Sequence, residues 1–394
     1  MIRIFFKTIW NNRRRNILVF IELFMISLVL VNLTFYLVNM VTIFRIKNCY
    51  ETNNVILVDI SKKDNEDESI TEKSFMNLKE KFRSNSFVES VSISNTAIPF
   101  NYSLASTNFK HDSDYFNLAL RRVDIDYAKV MQIKPLKGRW FNETDIGKSV
   151  LPIIISIDID EKYFYGNAIG KRIEENKKFY EIIGVVDHFK RSDIEKPYSF
   201  GFIFKEKVLA KYYWSTSFLV RTKEGKTGEM LSIAESQVYA TLNPDKWTIS
   251  SLNSLENMRN RQNDDNSQKN YLSIIIALFI MINVFLGTIG ILWYNTNLRI
   301  HEIGIKRALG STGVGIKRLI IAENMILAVL GLLIVSLLLL QVPTFFDGRQ
   351  IQHDVFYKSI CISFVTMIIL VILSTWLPAS IASKIQPASA LKME

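Results

Sequence analysis

Chemistry-bearing residues are scarce in this chain of 394 residues. It has two cysteines, Cys49 and Cys361, and neither has a neighbour at the spacing of a zinc site or a disulfide framework. Two separate thiols are the simpler interpretation, although a bridge between them stays open. The four histidines are scattered, and none belongs to an H-E-x-x-H sequence; they are His111, His188, His301 and His353.

Nucleotide and calcium motifs are also absent from the sequence. No G-x-x-x-x-G-K-[ST] phosphate loop occurs, and the glycine-containing cluster 310–313 lacks the required lysine, so we interpret it as helix punctuation. The acidic run 64–68 lacks the glycine and the ligand spacing of an EF-hand loop. We therefore predict no catalytic, metal-binding or cofactor-binding residues, and any ATP and Mg²⁺ would be bound by another polypeptide.

Long apolar runs dominate what is present. Hydrophobic residues make up 48% of the chain, and the mean hydropathy is +0.14. They concentrate in four runs, each long enough for a bilayer core that takes about 20 helical residues. The first run is too long for a signal peptide and no small-residue cleavage pattern follows it, so it predicts a retained anchor. The runs are 17–44, 271–294, 319–342 and 357–377.

The distribution of charge predicts which segments face the cytoplasm. The formal net charge is +10, and it lies in three short segments, because 1–16 carries +5, 295–318 carries +4 and 378–394 carries +1. The long segment 48–270 holds 32 basic and 32 acidic residues. Short basic flanks of membrane helices stay in the cytoplasm, whereas long domains translocate largely regardless of charge. We therefore expect both termini and the 295–318 loop inside, and the large domain outside.

The same distribution predicts the class of partner. Because the excess positive charge flanks apolar runs, anionic membrane lipids are an expected partner and nucleic acid is not. The first residues, 2–10, mix apolar bulk with spaced cations, which is typical of an interfacial amphipathic helix.

Segment 45–270 alternates strand-like and helix-like patterns, which is typical of an α+β domain. Ser69 and Glu72 have capping-box spacing and predict the start of a helix that ends near Phe82. The run 171–186 predicts a β-hairpin, and the polar run 255–270 predicts a helical stalk continuous with the second membrane helix. Further strands are predicted at 55–60, 87–94, 153–159, 199–204 and 216–220, and a further helix at 227–242.

Together these patterns predict a membrane α-helical protein with four transmembrane helices and an α+β extracytoplasmic domain inserted between helices 1 and 2. In order, we expect a cytoplasmic basic helix 1–16, helix 17–44, the outer domain with its stalk 45–270, helix 271–294, a cytoplasmic loop or helix 295–318, helix 319–342, an outer loop 343–356, helix 357–377 and a cytoplasmic tail 378–394.

The segment 297–324 reads NLRIHEIGIKRALGSTGVGIKRLIIAEN. It resembles the cytoplasmic coupling segment of the MacB/FtsX-type ABC-transporter permease family, in which Glu-Ile-Gly is followed by a basic pair and Ala-Leu-Gly. His301 stands where the family more often has arginine. The matching residues are His301, Glu302, Ile303, Gly304, Ile305, Lys306, Arg307, Ala308, Leu309 and Gly310.

A second region resembles the extracytoplasmic domain of MacB-like permeases. It comprises the run 137–141, KGRWF, followed by the runs 153–157, 169–171 and 183–186. The tail 379–392, ASIASKIQPASALK, is similar to the family's ending. With the arrangement of one helix before the outer domain and three after it, the resemblance covers nearly the whole chain.

The resemblance implies a non-catalytic permease subunit that passes the ATP-driven motion of a cytoplasmic ABC ATPase to the outer domain. It implies a second copy or a related permease as partner, and it allows a periplasmic adaptor or an outer-membrane protein. The expected outcome is export or efflux of an antimicrobial, peptide or lipoprotein-like cargo at the cell (inner) membrane. The alternative is a signalling or scaffold permease that activates a cell-wall hydrolase or senses a peptide without transport.

Two carboxylates, Glu22 and Glu323, lie within predicted membrane helices. An ionisable group in hydrocarbon is costly and marks a functional candidate. Both residues lie near a membrane surface, so one interpretation is a structural role in which each reaches water or a nearby arginine. The other is a role in coupling between helices.

Overall fold

The computed structural model describes residues 13–63, 68–94, 97–100, 106–193, 195–204, 215–339 and 353–384. The chain divides into two compact units. The described residues up to Thr42 and from Lys269 onward form the helical unit, and Ile43–Gln268 forms the sheet unit. The predicted helix at 2–10, residues 64–67 of the acidic run, most of the outer loop and the tail from residue 385 lie outside the described residues.

The elements alternate between helices and strands only in the middle of the chain. The first half contains α1 (Arg13–Arg45), β1 (Val55–Lys62), α2 (Glu68–Arg83), β2 (Val88–Ser94), β3 (Ser106–His111), β4 (Asp114–Val123), α3 (Tyr127–Met131), β5 (Lys137–Gly138), β6 (Leu151–Ser156), α4 (Ile157–Phe164), β7 (Arg172–Glu175) and β8 (Lys178–Val186). The second half contains β9 (Phe200–Phe204), β10 (Ser215–Thr222), α5 (Thr227–Tyr239), β11 (Trp247–Ser254), α6 (Leu255–Asn297), α7 (Ile300–Ala308), α8 (Gly313–Leu339) and α9 (His353–Ala382).

Four helices of the described chain are long and apolar enough to cross a membrane, judged by length and composition. They lie on α1, α6, α8 and α9 and have mean hydropathies of 2.1 to 2.6. Each predicted apolar run lies on one of these helices. The third run, 319–342, is described as far as Leu339. The candidate spans are Val19–Arg45, Tyr271–Asn297, Gly313–Leu339 and Asp354–Ala382.

Small and hydroxyl side chains bring the helices of the helical unit together. A Cβ atom added at Gly331 of α8 would lie 3.4 Å from the backbone of Phe24 in α1, so these two helices cross closely. The Thr34 and Ser363 hydroxyls, 2.5 Å apart, join α1 to α9. Buried residues from α1, α6, α8 and α9 form one apolar core; among them are Leu23, Leu30, Leu292, Leu332 and Val371.

The described part of the sheet unit contains eleven strands in the order β11-β1-β10-β2-β4-β3-β7-β8-β6-β9, with β5 paired to β8. A parallel pairing of β4 with β9 closes six of these strands into a ring. The remaining four strands, β11, β1, β10 and β2, pair antiparallel with one another, and β2 joins the ring through Ser94 and Val123.

Side chains of β1 alternate between two cores, as a strand buried on both faces requires. Ile56 and Val58 pack on one face with Phe75 of α2 and Met230 of α5. Val55 and Leu57 belong to a second core on the other face, which includes residues of α3, β8 and β9. A third core lies among the strands of the ring and α4.

Most local predictions for the sheet unit are confirmed. The 171–186 hairpin is β7 and β8, and its turn residues Asn176 and Lys177 have φ angles of 47° and 65°, as a type I′ turn requires. Four more predicted strands are present: 55–60 is β1, 87–94 is β2, 199–204 is β9 and 216–220 is β10. The helix predicted from 227 is α5. The polar run from Leu255 is helical and continuous with the second apolar helix as α6.

One local prediction is wrong. The strand predicted at 153–159 ends at Ser156, and α4 begins at Ile157, because Ser156 has extended N-cap geometry and Asp158 and Asp160 stabilise the first helical turn. The helix predicted from Ser69 to near Phe82 is confirmed as α2, which the structure describes from Glu68 to Arg83. The predicted fold class, four apolar helices with an α+β unit inserted between the first two, is confirmed.

Candidate functional site

Helix α7 lies at the centre of the predicted coupling segment. Glu302 lies in its first turn and Lys306 and Arg307 in its last, a placement that the helix dipole favours. After the helix, Gly310 has a φ angle of 93°. The amides of Gly310 and Ser311 donate to the carbonyls of Arg307 and Lys306 at 3.1 and 3.0 Å. This Schellman ending needs the left-handed backbone that glycine adopts without strain.

The turn between α7 and α8 is held by its own side chains and packing. The Thr312 hydroxyl accepts a hydrogen bond of 3.1 Å from the Gly315 amide, which caps the start of α8. A Cβ atom at Gly313 would lie 3.1 Å from the Ser383 carbonyl oxygen at the end of α9. The turn therefore packs against α9 with little room for a larger residue.

One side of α7 is buried against neighbouring helices. Ile303 and Gly304 are buried. Ile303 packs in a small apolar cluster with Ile316 and Ile320 of α8 and with Ala379 and Ala382 of α9. This cluster fixes α7 to the ends of two apolar helices.

Exposed apolar residues lie on the other side of α7 and at the start of α8. Ile305 of α7, Leu309 at its C-cap and Val314 in the first turn of α8 are 41%, 81% and 62% exposed. Lys306 and Arg307 are half-buried beside them in sequence. We call these five residues the coupling surface. Exposed large apolar side chains close to cationic residues are typical of a protein interaction site.

A buried ion pair links the α6–α7 junction to α8. The Arg299 guanidinium donates a hydrogen bond from Nη1 to Glu323 Oε2, and the two side chains are 8% and 7% exposed. Its Nε atom lies 3.4 Å from Glu302 Oε2. Burial is the largest influence and lowers the pKa of Arg299, but the hydrogen bonds and negative charges of Glu323 and Glu302 together outweigh it, so the pKa lies above its ordinary value.

Arg299 is the site residue that the sequence did not identify. In the sequence, Arg299 is one of several basic residues that flank a predicted membrane helix. In the structure it contacts Glu323, which lies 24 positions later. Two features of the sequence point to this pairing. Arg299 lies three residues before Glu302, and Glu323 is a carboxylate within an apolar run that needs a cationic partner.

The predicted site residues do not all come together. His301, Ala308 and Gly310 are exposed on α7 and its ending, while Glu302 is half-buried. Glu22 lies elsewhere in the helical unit, half-buried between α1 and α6. Its Oε1 would be 3.9 Å from a Cβ atom at Gly287, among apolar neighbours and Thr288. Among the residues that the structure describes, Glu323 has an ion pair and Glu22 has none.

In the described ranges, no group of three or more His, Cys, Asp and Glu side chains is placed to hold a metal ion. The arrangement around α7 consists of an anchored helix, exposed apolar residues and an ion pair to α8.

Two family models match this chain. The MacB-like periplasmic core domain matches residues 24–244, more than half of the chain, and the FtsX-like permease C-terminal domain matches residues 274–387. The segment that contains α7 and Glu323 lies inside the second match.

A curated relative is the macrolide export ATP-binding/permease protein MacB of Pasteurella multocida (strain Pm70). It is 23% identical over an alignment of 295 residues, and the alignment covers 71% of this chain and 43% of that protein. The chain thus spans less than half the length of this relative.

Two solved structures are similar to part of the chain. One is the periplasmic region of MacB from Actinobacillus actinomycetemcomitans, with a TM-score of 0.36, 16% identity, and coverage of 55% of this chain and 94% of that one. The other is the extracellular domain of the noncanonic ABC-type transporter YknZ from Gram-positive bacteria, with a TM-score of 0.34, 15% identity, and coverage of 50% and 100%.

Proposed function

Because this chain belongs to the family with a MacB-like periplasmic core domain and an FtsX-like permease C-terminal domain, we propose that it is the permease subunit of an ABC transporter. The observation that carries the proposal is the coupling surface on α7 and the first turn of α8. Its exposed Ile305 and Leu309 and its basic rim offer a binding site to a soluble protein, while Ile303 and Arg299 connect the same helix to its neighbours.

The proposed partner is a cytoplasmic ABC ATPase on a separate chain, which binds ATP and Mg²⁺. Closure of the ATPase pushes on residues 301–310. Ile303 resists sliding of α7 because it is buried among α8 and α9 residues. The Arg299–Glu323 pair resists separation of the α6–α7 junction from α8. Separating the two side chains would leave each charge buried without a partner, which costs free energy.

The remaining parts of the proposal concern orientation, assembly and cargo. Both termini and α7 are cytoplasmic, and the sheet unit is extracytoplasmic in the cell (inner) membrane. The chain works with a second copy or a related permease, and with membrane lipids, a periplasmic adaptor or an outer-membrane protein as further partners. Its cargo is an antimicrobial, peptide or lipoprotein-like molecule that is exported.

Orientation is tested with single cysteines in a background where Cys49 and Cys361 are serine. Tyr165→Cys reports on the sheet unit, since Tyr165 is 87% exposed, and Leu309→Cys reports on the coupling surface. A membrane-impermeant maleimide should label Tyr165→Cys in intact cells and Leu309→Cys only after permeabilisation. Labelling of Leu309→Cys in intact cells would overturn the orientation.

Function is tested by purification of the tagged chain in mild detergent and identification of co-purifying proteins by mass spectrometry. A stoichiometric soluble protein with a phosphate-loop sequence is expected, and its ATPase activity should change when the permease is present. Recovery of the chain without an ATPase, in a detergent that preserves known complexes of this class, would overturn the proposal. A cell-wall hydrolase or a sensor kinase in place of cargo-handling partners would favour a signalling permease.

A further inference from the structure

The sheet unit has two chain connections to the apolar helices, and both are held by one short loop. The incoming connection is the end of α1 and residues 46–50. The outgoing connection is the first turns of α6. The loop between β8 and β9 contacts both through Lys190 and Asp193, which lie three residues apart.

Lys190 holds the incoming connection. Its side chain is buried, with 2% of the residue exposed. The ammonium group donates to the carbonyl oxygens of Ile43 and Ile46 at 3.0 and 3.2 Å and also to the Asp193 carbonyl. Ile43 belongs to the last turn of α1, where carbonyls lack the amide partner that the next helical turn would supply. Its carbonyl also accepts a hydrogen bond of 3.3 Å from the Ile46 amide. A lysine at this position therefore both satisfies the helix end and fixes it to the loop.

Further hydrogen bonds fasten the same connection to the loop. The Cys49 amide donates to the His188 carbonyl at 2.8 Å. The Lys190 amide donates to Asn48 Oδ1 at 3.0 Å, and the Tyr50 hydroxyl donates to the Lys190 carbonyl at 2.7 Å. Residues 48–50 are thus bound to 188–190 at three successive points.

Asp193 holds the outgoing connection. Its Oδ2 accepts hydrogen bonds of 2.8 Å from Arg259 Nε and from Asn263 Nδ2, one turn apart on α6. Its Oδ1 lies 3.4 Å from Asn48 Nδ2. Burial raises the pKa of Asp193, but the hydrogen bonds from Arg259 and Asn263 and the positive charges of Arg259 and Lys190 together outweigh it, so the pKa lies below its ordinary value. The carboxylate is therefore charged at neutral pH.

We propose that Lys190 and Asp193 are positioning residues of a clamp that makes the end of α1 and the start of α6 move as one piece. The proposal rests on the function proposed above, because motion of membrane helices driven by an ATPase would reach the sheet unit through these two connections. Without the clamp, each connection would move independently, and movement of the membrane helices would not be passed on to the sheet unit.

The clamp is tested first without any ATPase, by hydrogen–deuterium exchange of the full-length chain in detergent. Asp193→Ala should raise amide exchange about tenfold in residues 255–263 and also in residues 43–50, since the loss of a buried hydrogen-bonded partner weakens every group it held. Arg259→Gln removes one contact and should give a smaller increase in the same two segments.

Asp145→Asn is the matched control. Asp145 is also a buried carboxylate with two cationic partners, Arg139 and Lys148, in the same unit. It should leave exchange at 43–50 and 255–263 unchanged. Faster exchange of only 188–193 in Asp193→Ala, or equal effects of the control on both segments, would overturn the clamp.

A second experiment uses the complex with its ATPase, trapped with ADP and vanadate. In the wild type, exchange at 43–50 and at 255–263 should change together on trapping, and in Asp193→Ala the two changes should separate. Joint changes in the variant would overturn the clamp. Absence of any response in the wild type would count against the proposed transporter function, while the first experiment would still decide on the clamp.

Discussion

Arg299 and Glu323 form an ion pair that joins the α6–α7 junction to α8, and less than a tenth of either side chain is exposed. The second carboxylate oxygen of Glu323, Oε1, is buried and has no hydrogen-bond partner among the described residues. The pair is thus incompletely satisfied, which makes it costly to keep and more costly to break.

Glu323→Ala should destabilise the helical unit by about 3 kcal/mol, because Arg299 would remain buried without its main partner. Thermal unfolding of the purified chain in detergent measures this loss. Glu22→Ala is the control within the same unit, and since Glu22 has no ion pair in the described part of the chain, it should cost less than about 1 kcal/mol.

A double replacement distinguishes the contribution of the two charges from the contribution of side-chain packing at this pair. Arg299→Met with Glu323→Leu should recover most of the stability, since apolar residues of similar volume can replace a buried pair. If the pair transmits motion, the double variant should still fail to couple ATPase activity to the permease. Full coupling in a stable double variant would contradict that role.

Ile303 and Ile305 lie two positions apart on α7 and should respond in opposite ways. Ile303→Ala removes a buried side chain and should cost about 2 kcal/mol or more of stability. Ile305→Ala should change stability by less than about 0.5 kcal/mol but weaken binding of the ATPase, because Ile305 belongs to the exposed coupling surface. Thermal unfolding and co-purification yield measure the two effects, and equal behaviour of both variants would remove the case for this surface.

Gly138 and Gly147 offer a test of close packing in the sheet unit. Both have positive φ angles, 71° and 75°. A Cβ atom at Gly138 would lie 2.2 Å from the Ile183 carbonyl oxygen, whereas one at Gly147 would meet nothing within 4 Å. Gly147→Ala should cost only the backbone strain, about 1 kcal/mol. Gly138→Ala should cost about 3 kcal/mol or more, measured as a shift in the unfolding midpoint, because β5 must move away from β8.

Asp145 should make the sheet unit sensitive to acid. The hydrogen bond from Arg139 lowers the pKa of Asp145 well below its ordinary value, burial opposes this, and Lys148 and the Asn142 amide lower it further. Because the folded-state pKa is the lower one, the stabilisation is fully present above the ordinary carboxyl pKa of about 4 and is lost as the pH falls towards the folded-state value.

Unfolding midpoints of the full chain at pH 7 and at pH values below 4 measure this dependence. Asp145→Asn should be less stable at pH 7 and should lose less stability on acidification than the wild type. Arg139→Met should weaken the same acid dependence, since it removes the main donor. An unchanged dependence in both variants would assign the acid sensitivity to other carboxylates.

Several elements were missed or assigned wrongly, either because their residue patterns are weak or because contacts with distant residues determine their structure. Strands β3, β4 and β11 were not predicted; β3 carries polar residues such as Ser106, Thr107 and Asn108, and its strand is completed by pairing with β4. The run at 153–159 reads as one strand, yet α4 begins within it. There, the Asp160 carboxylate binds Lys137 and the Ala168 amide, contacts that no local pattern contains.

The sequence by itself determined the four apolar helices, the continuous helix from Leu255, the hairpin at 171–186 and the end of α7 at Gly310. These features depend on hydrophobic length, on residue spacing within one or two turns and on the backbone freedom of single residues, all of which are local properties. Only the tertiary structure decided that Arg299 pairs with Glu323 and that Lys190 and Asp193 hold α1 and α6. Those contacts join residues that are distant along the chain, and their partners are selected by packing, which periodicity does not encode.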